Sequence, residues 1–321
     1  MRAIAVTAVG GPEVLVATEL PDPSPGTGQL LVRVAASGVN FIDTYQRSGV
    51  YPMALPFVPG AEGVGVVQAV GTGADPALIG TRVAWATAPG SYAELVLVAA
   101  DQAIGVPDGV SDAEAASVLL QGMTAHYLVT STYQVEAGQT VLVHAGAGGT
   151  GLVLTQLAVA RGARVITTVS SDAKEELSRA AGASEVLRYG DDLAMRVREL
   201  TDGDGVAVVY DGVGATTFDA SLAALRIRGM LVLFGAASGP VPPVDPQRLN
   251  AAGSVFLTRP TLAHHVRGPE ELRWRAGAVL AAVLDGSLRL RVGATYPLAE
   301  AARAHTDLES RSTTGSLVLL P

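Results

Sequence analysis

A glycine-rich run in the middle of the chain has the spacing of a phosphate-binding turn. Residues 144–151 read HAGAGGTG and contain the pattern Gly-x-Gly-x-x-Gly. The apolar run TVLVHA precedes it, the helix-forming run GLVLTQLAVARG follows it, and ARVITTV supplies a second strand. Glycines at this spacing let the backbone turn sharply and approach a dinucleotide pyrophosphate at the start of a helix. We therefore expect Gly148, Gly149 and Thr150 to contact a dinucleotide, although the same turn also occurs without a ligand.

The end of the second strand indicates which dinucleotide is bound. An NAD enzyme usually has an Asp or Glu there, about 20 residues after the glycines, to bind the ribose hydroxyls. This chain instead has Ser170, Ser171 and Lys174, whose hydroxyls and ammonium group suit a 2′-phosphate. Tyr189, at the end of the next strand, adds a phenol donor. NADPH is therefore the predicted cofactor, and the alternative for Lys174 is a solvated position on a helix surface.

Asp172 is the discordant residue at this strand end. Its carboxylate would repel a 2′-phosphate. The same position also suits the N-cap of the following helix, because Glu175 stands three residues later as in a capping box. We therefore assign Asp172 to the helix start and keep NADPH as the prediction.

Composition excludes several classes of function. The 321 residues are 49% hydrophobic and 16% charged with a net charge of −8, which is unfavourable for binding a nucleic-acid backbone. No run reaches the ~18 apolar residues of a membrane span, and the N-terminal strand-like run ends at a Gly-Gly-Pro before a signal-like core develops. The chain has no cysteine, which excludes disulfides, thiolate catalysis and thiolate zinc sites. We expect a soluble cytoplasmic protein that binds no nucleic acid and has no membrane span.

The hydrophobic pattern divides the chain into three blocks. Residues 1–121 contain short apolar runs separated by turns, which predicts a compact β-rich domain with one short helix in NFIDTYQRSGV. Residues 122–260 alternate strands and helices, which is typical of βαβ units on a parallel sheet. Residues 261–321 are too few for a core of their own and are expected to fold back onto the first block. The predicted class is α/β, a doubly wound parallel sheet with a second, mostly β domain; the predicted helices after the first block are 149–161, 172–181, 191–200, 215–225, 269–285 and 298–309.

Longer motifs resemble one enzyme family. GGPEVL, GVNFIDTYQRSGVYP at 38–52, VPGAEGVG at 58–65, VVYDGVG and LTRP at 257–260 are similar to the zinc-free quinone oxidoreductases of the medium-chain dehydrogenase/reductase superfamily. The lens ζ-crystallins are relatives, and the likeness covers essentially the full chain. It implies a GroES-like catalytic domain built from both chain ends and an NADPH-binding Rossmann domain between them. It also implies a homodimer joined through strands such as 253–258.

The residues at the zinc position depart from the zinc branch of that superfamily. Zinc alcohol dehydrogenases have Gly-His-Glu where this chain has Gly60, Ala61 and Glu62. The remaining histidines do not replace the missing ligand, because the adjacent His264 and His265 diverge on a helix and are expected to be solvated. His144 is interpreted as packing at a strand end. No catalytic metal is expected.

The missing metal narrows the predicted reaction. Oxidising a simple alcohol needs an alkoxide, which is costly without a Lewis acid. A quinone or enone needs only hydrogen-bond donors, because its conjugated oxygen delocalises the incoming charge. Reduction of quinones by NADPH, by hydride or single-electron transfer, is the leading hypothesis. An NADPH-dependent reductase of alkenals or enones is the alternative, and a non-catalytic, crystallin-like NADPH-binding protein is the alternative of another class.

The segment NFIDTYQRSGVY supplies the residues expected near the nicotinamide. By resemblance and by their chemistry, Asn40 and Asp43 are expected to fix the nicotinamide ribose and local water, and Phe41 and Ile42 between them are expected to contact the cofactor. Tyr45 and Tyr51 are phenols that could donate to the quinone oxygen, with Tyr51 the first choice and simple packing the alternative for both. Gln121 stands where relatives often have lysine, which removes a cation from the pocket mouth.

The remaining predicted cofactor contacts lie in and after the second block. They comprise residues on the helix between the first two blocks, loops at the carboxyl ends of strands, and two arginines for which a surface ion pair is the alternative. The set is Thr124, Tyr127, Val213, Phe234, Gly235, Ala236, Ser238, Leu257, Thr258, Arg259 and Arg311.

Overall fold

The computed structural model describes residues 1–321. Its strands are β1 (Arg2–Ala5), β2 (Val16–Glu19), β3 (Gln29–Val39), β4 (Gly63–Val70), β5 (Arg82–Trp85), β6 (Leu95–Ala99), β7 (Ile104–Gly105), β8 (Thr140–Val143), β9 (Arg164–Val169), β10 (Glu185–Arg188), β11 (Val206–Asp211), β12 (Leu225–Leu233), β13 (Phe256–Thr258), β14 (Val292–Pro297) and β15 (Ser316–Leu320). The α-helices are α1 (Phe41–Arg47), α2 (Asp112–Tyr127), α3 (Gly149–Ala160), α4 (Asp172–Ala180), α5 (Leu193–Glu199), α6 (Phe218–Ala224), α7 (Gln247–Ala251), α8 (Pro269–Leu284) and α9 (Ala301–Glu309). The α/β class predicted from the sequence is confirmed.

The chain divides into two units by its internal contacts. The first unit comprises Met1–Met123 and Val266–Pro321, and the second comprises Thr124–His265. The predicted domain ranges 1–121, 122–260 and 261–321 stay a prediction, because a division by internal contacts does not show which segments fold independently. No helix of the protein is both long enough and apolar enough to cross a membrane.

The second unit is built on a six-stranded parallel sheet. Its strand order is β10-β9-β8-β11-β12-β13. The central strands β8, β9 and β11 are buried on both faces, as expected for a sheet covered by crossover helices. The order reverses between β8 and β11, and ligands of doubly wound folds bind outside the carboxyl ends of the strands at such a switch point.

The first unit is built on a mostly antiparallel seven-stranded sheet. The order is β14-β15-β3-β4-β5-β7, with β6 also paired to β3. Strand β3 lies centrally because its alternating apolar residues pair with β4, β6 and β15. The last residues of the chain, in β15, therefore pair with the first block, and β1 and β2 form a separate two-stranded sheet.

Several element boundaries differ from the prediction. Strand β14 was not predicted, because only Tyr296 of its six residues is buried and no apolar run marks it. Helix α5 starts at Leu193 rather than 191, and helix α9 starts at Ala301 after a single 3₁₀ turn. The proline-rich stretch before β13 contains the short helix α7, which was not among the predicted helices.

Candidate active site

The glycine-rich turn joins β8 to α3 and has a shape that only glycines allow at two positions. A Cβ on Gly146 would lie 2.6 Å from Thr167 Cβ, and one on Gly151 would lie 2.2 Å from the Ala145 carbonyl oxygen. These glycines are therefore required by packing. Gly148 differs, because a Cβ there would meet nothing closer than 3.4 Å, so its open face suits the approach of a ligand rather than of the protein.

The first turn of α3 presents backbone N–H groups beside that open face. Gly148 is the N-cap and offers no side chain to cap the helix, so Gly149 and Thr150 carry N–H groups without an intrahelical partner. Tyr189 lies against the same turn, where its hydroxyl accepts a hydrogen bond from the Ala145 N–H (3.0 Å). The turn can therefore bind an anion through its backbone.

A buried polar network fixes the strand ends beneath this turn. The Asp211 carboxylate accepts hydrogen bonds from the N–H groups of Val213 (2.8 Å) and Gly214 (2.9 Å) and from the Ser221 hydroxyl (2.7 Å). His144 contacts Ser221 through Nε2 (2.9 Å) and the Thr168 hydroxyl through Nδ1. Burial lowers the pKa of His144. The sequence-based interpretation of His144 as strand-end packing missed this network, since its partners lie 24 and 77 residues away.

The end of β9 and the start of α4 show how the predicted 2′-phosphate residues are arranged. Ser170 is exposed, and Ser171 is the N-cap of α4, where its Oγ accepts a hydrogen bond from the Lys174 N–H (3.4 Å). The prediction that Asp172 caps this helix was wrong. Asp172 is the first helical residue, and its carboxylate pairs with Arg188 (2.7 Å), because the seryl hydroxyl one residue earlier already fills the N-cap position.

Arg188 is a cation that sequence reasoning missed. It ends β10, pairs with Asp172 and Glu175 (2.7 Å each), and keeps its Nη1 buried without a hydrogen-bond partner. The two pairs neutralise carboxylates that would otherwise repel a phosphate at this strand end. Arg188 lies here because β9 and β10 pair in parallel, which brings their carboxyl ends together.

The loops after β11 and β12 touch closely. A Cβ on Gly235 would lie 2.3 Å from the Gly212 carbonyl oxygen. The Ser238 hydroxyl donates to the Val213 carbonyl (2.8 Å) and accepts from the Thr216 N–H (3.0 Å). Ser238 therefore holds the loop of Val213 in place, while Phe234 and Ala236 remain half-buried beside it.

Other predicted contacts of the second unit are spread over α2 and the stretch after β13. The ring of Tyr127 is buried and stacks on His265 with 4.1 Å between ring centroids, so the prediction that His265 is solvated was wrong, whereas His264 is exposed. The Arg259 guanidinium donates to the Leu233 carbonyl (3.1 Å). The remaining residues are buried or half-buried Thr124, Leu257 and Thr258.

In the first unit, four polar side chains form a buried line that we call the Glu62 network. The Ser316 hydroxyl donates to Gln121 Oε1 (2.7 Å), Gln121 Nε2 donates to Asn40 Oδ1 (3.1 Å), and Asn40 Nδ2 donates to Glu62 Oε2 (2.9 Å). Glu62 Oε1 also accepts from the Leu120 N–H (2.7 Å). Burial raises the pKa of Glu62 to about 8. Gln121, noted only as a lost cation, is therefore a link in this network.

A second buried line, which we call the Asp43 network, starts beside the first. The Asn40 N–H (2.8 Å) and the Tyr92 hydroxyl (3.0 Å) both donate to Asp43 Oδ2. Tyr92 also contacts His305 Nε2 (3.1 Å), and His305 Nδ1 contacts Arg47 Nη1 (3.2 Å). Sequence reasoning found Asp43 but none of its partners.

Near these networks, the predicted tyrosines form an aromatic edge. The rings of Tyr45 and Tyr51 meet edge to face with centroids 5.4 Å apart, and the Tyr51 ring is 38% exposed. Phe41 lies on the other side of Tyr45, with centroids 6.3 Å apart, and is half-buried like Ile42. Arg311 lies in the same unit, exposed after the end of α9.

No group of three His, Asp or Glu side chains in the protein is placed to hold a metal ion. Gly60 packs on Tyr92, since a Cβ there would lie 2.3 Å from the Tyr92 ring. Ala61 follows it, and Glu62 is absorbed into the network described above. The residues at the zinc position of the zinc branch therefore serve packing and hydrogen bonding.

Comparisons with known proteins place the chain among dehydrogenases. The family model described as "Alcohol dehydrogenase GroES-like domain" matches residues 26–108, and that described as "Zinc-binding dehydrogenase" matches residues 149–279. A quinone oxidoreductase of Pseudomonas aeruginosa is 46% identical over 100% of this chain and 99% of that protein. A 2-haloacrylate reductase of a Burkholderia species is 41% identical over 97% of this chain and 96% of its own. A mycobacterial protein solved in complex with NADPH has a TM-score of 0.98 and 58% identity, with 100% of both chains covered.

Proposed function

Because the chain belongs to the quinone oxidoreductase family of the medium-chain dehydrogenase/reductase superfamily, we propose that it reduces quinones with NADPH by hydride or single-electron transfer. The full-length likeness to the Pseudomonas aeruginosa quinone oxidoreductase carries this proposal. The NADPH complex of the mycobacterial protein supports the cofactor predicted from Ser170, Ser171 and Lys174.

The residues of the second unit fit the phosphates of NADPH. The open face at Gly148 is a cradle that a pyrophosphate fills, and the N–H groups of Gly149 and Thr150 bind it at the positive end of α3. NADPH supplies the reducing electrons when it is bound. The loops after β11 and β12 border the carboxyl ends of the strands and are proposed to orient the nicotinamide half of NADPH. Their residues are Val213, Phe234, Gly235, Ala236 and Ser238.

The 2′-phosphate is proposed to bind where β9 and β10 end. Lys174 supplies a charge-assisted donor, Ser170 and Ser171 supply hydroxyls, and Arg188 neutralises the two carboxylates beside them. Asp172 does not oppose binding, because its carboxylate is already paired with Arg188. An Arg188→Ala variant should therefore lose affinity for NADPH, because it releases two carboxylates that repel the 2′-phosphate. Affinity for NADH should change little.

On the acceptor side, hydrogen-bond donors that stabilise the negatively charged oxygen of the reduced quinone are sufficient for the reaction. A quinone spreads the incoming charge over a conjugated oxygen, so a phenol can do what a metal does for a simple alcohol. Tyr51 is the proposed donor because its ring is exposed and held by Tyr45. Asn40 is proposed to hold the start of α1 in place, because its side-chain amide is hydrogen-bonded to Glu62 and Gln121. The contacts predicted for Thr124, Tyr127, Leu257, Thr258, Arg259 and Arg311 stay predictions.

We propose that the reaction needs no zinc. The supporting observations are Ala61 in place of the histidine ligand and the absence of cysteine from the sequence. Stoichiometric zinc in the purified protein, with activity lost on chelation, would overturn this part of the proposal.

A conjugated alkene is the second candidate acceptor. The likeness to the Burkholderia 2-haloacrylate reductase favours it, since a haloacrylate is an alkene conjugated to a carboxyl group. The same cofactor site would serve both reactions, and the shape of the acceptor pocket decides between them. Steady-state rates with 1,4-benzoquinone, 2-alkenals and 2-chloroacrylate distinguish the candidates.

The protein is proposed to act as a homodimer joined through the edge of the second unit's sheet. Strand β13 is an edge strand, and an unprotected edge is a template for pairing with a second copy. Phe256 on this strand is 56% exposed and Ile227 nearby is 76% exposed, so the edge carries apolar side chains that a partner copy would cover. The cytoplasmic location and the absence of nucleic-acid binding stay predictions.

The proposed function is tested by following NADPH oxidation by absorbance with a panel of quinones and enones. NADPH oxidation that depends on quinone, with little activity from NADH, is the expected result. Tight NADPH binding without turnover of any acceptor would instead favour a non-catalytic binding protein.

A further inference from the structure

An exposed apolar surface lies beside the proposed acceptor site, and we call it the Tyr51 patch. It comprises Val9, Val50, Tyr51, Met53 and Leu55, each of which is between 36% and 54% exposed. Single exposed apolar residues are common on soluble proteins and need no explanation, whereas a group of neighbouring ones marks a surface that binds something. The Tyr51 patch is therefore a candidate binding surface.

Two sets of hydrogen bonds hold the two segments of the patch side by side. The Val6 N–H donates to the Phe57 carbonyl (2.8 Å), and the Phe57 N–H donates to the Val6 carbonyl (3.1 Å). The Gly10 N–H donates to the Arg47 carbonyl (3.2 Å), and Arg47 Nε donates to the Gly10 carbonyl (3.1 Å). The segment from Val6 to Gly10 is therefore joined at both of its ends to the segment from Arg47 to Phe57.

This arrangement brings Val9 and Tyr51 to the same surface. Val9 lies over Gly49, since a Cβ on Gly49 would be 3.1 Å from Val9 Cγ1. Gly49 turns the chain after α1 with a φ of +80°, which a glycine adopts readily. The Tyr51 N–H then donates to the Tyr45 carbonyl (3.0 Å). The phenol that is proposed to donate to the acceptor is therefore itself part of the apolar patch.

The loop of residues 50–56 has a composition that suits an apolar ligand. It reads VYPMALP, and all seven residues are exposed. The Tyr51 hydroxyl is the only polar group among its side chains. Pro52 and Pro56 restrict the backbone, which lowers the entropy lost when the loop binds a ligand. Because the loop carries no charge, an apolar ligand can cover it without burying an unpaired ion.

The charge and position of the patch decide between occupants. An anionic lipid surface is recognised by lysines and arginines beside apolar residues, but residues 7–11 and 48–58 contain no charged residue. A second copy of the chain is proposed to bind at β13 in the second unit, whereas the patch lies in the first. The occupant that the position favours is part of the molecule that reacts at Tyr51.

We propose that the Tyr51 patch binds a hydrocarbon chain carried by the acceptor, so that the preferred acceptors are quinones with an alkyl or prenyl chain. The inference rests on the proposed function, in which Tyr51 donates to the quinone oxygen. The chain extends from the quinone ring over Val9 and Val50 or over Met53 and Leu55. It takes no part in electron transfer and is bound equally before and during the reaction, so it lowers KM rather than raising kcat.

The test is the dependence of kcat/KM on chain length with saturating NADPH and 2-alkyl-1,4-benzoquinones. Methyl, propyl and hexyl compounds are compared, because alkyl groups of different length have similar effects on the reduction potential of the ring. Full burial of one methylene changes affinity about fourfold, and burial of half its surface about twofold. The open patch therefore predicts a kcat/KM about 30-fold higher for the hexyl than for the methyl compound, by a lower KM.

Polar substitutions of similar size test whether the patch is responsible. Met53→Gln combined with Leu55→Gln replaces apolar surface by amides at two exposed positions, where a change of this kind has little effect on folding. The hexyl-to-methyl ratio of kcat/KM should fall below about fivefold, and a ratio within one variant cancels any general loss of activity. Met195→Gln, at an exposed residue of the second unit, is the matched control and should keep the wild-type ratio.

The outcomes are distinguishable. A wild type that oxidises no NADPH with any quinone overturns the proposed function and the chain-binding patch together. Quinone turnover that is insensitive to chain length, or equally sensitive in the wild type and the double variant, overturns the patch alone. An unchanged ratio in a double variant that loses binding to phosphatidylglycerol vesicles, or changes its mass in analytical ultracentrifugation, assigns the surface to lipid or to a second copy and also overturns it.

Discussion

Replacing Glu62 by glutamine should stabilise the first unit more at pH 7 than at pH 5. Burial raises the pKa of this carboxyl from 4.5 to about 8. Below the lower value, the folded and the unfolded chain both hold the proton. Between the two values, the folded chain keeps a proton that the unfolded chain releases, so the free energy of unfolding falls as the pH rises. Glutamine does not titrate, and the variant should therefore gain roughly 2–3 kcal/mol over the wild type between pH 5 and pH 7.

The Glu62 network can accept the Glu62→Gln substitution without a steric change. The carbonyl oxygen of the new amide would accept from the Leu120 N–H, and its nitrogen would face Asn40. The amides of Asn40 and Gln121 can each turn over, so that the donors run toward Ser316 instead of toward position 62. No buried donor then faces another donor.

Equilibrium urea unfolding followed by tryptophan fluorescence measures the effect. Both tryptophans of the chain, Trp85 and Trp274, lie in the first unit, so the signal reports on the unit that contains Glu62. The control is Glu19→Gln, the same change at an exposed residue of β2. Wild-type and Glu62→Gln stabilities that run parallel from pH 5 to pH 7 would show that Glu62 does not keep its proton in the folded protein, as would a variant that loses stability at both pH values.

Three further results are expected. Lys174→Ala should weaken NADPH binding roughly 10- to 100-fold in calorimetry, because a charge-assisted contact to the phosphate is lost, while NADH binding stays unchanged. Arg179→Ala on the same helix is the control. Equal losses of affinity for both cofactors would contradict the role of Lys174. Tyr51→Phe should lower kcat with quinone about a hundredfold, by removing a donor to the acceptor oxygen, while the Kd of NADPH stays constant; an unchanged kcat assigns the ring to packing. Phe256→Asp should shift the protein to monomers in analytical ultracentrifugation, because a charge would be buried at the β13 edge. Met195→Asp, at an exposed residue of α5, is the control and should leave the dimer intact. A wild-type protein that is already monomeric would contradict the proposed interface.

The parallel sheet was predictable because its strands are short apolar runs bounded by turns and separated by helix-length segments. The same local signals identified the glycine turn, since a strand precedes it and a helix follows it. Strand β14 gave no such signal, because its residues are mostly half-buried or exposed and its place depends on pairing with β15. Local patterns did not identify the N-cap of α4 correctly. They predicted Asp172, whereas the N-cap is Ser171, one residue earlier.

The polar networks of the first unit could not be predicted from spacing. Asp43 is 49 residues from Tyr92, and Tyr92 is 213 residues from His305, so no short pattern contains them. Gln121 likewise meets Ser316 across 195 residues. Sequence reasoning finds residues whose chemistry depends on neighbours in the chain, whereas buried titratable groups depend on which strands and helices meet.

A single-turnover experiment with the purified protein tests metal-free reduction of quinone by NADPH. Protein loaded with NADPH is mixed with 1,4-benzoquinone, and the absorbance of the reduced nicotinamide is followed against an identical sample mixed with buffer. Bound NADPH is expected to be oxidised in proportion to the quinone consumed, after removal of metals by chelation as well as before. NADPH that stays bound and reduced in the presence of quinone, or oxidation that requires added zinc, would contradict this expectation.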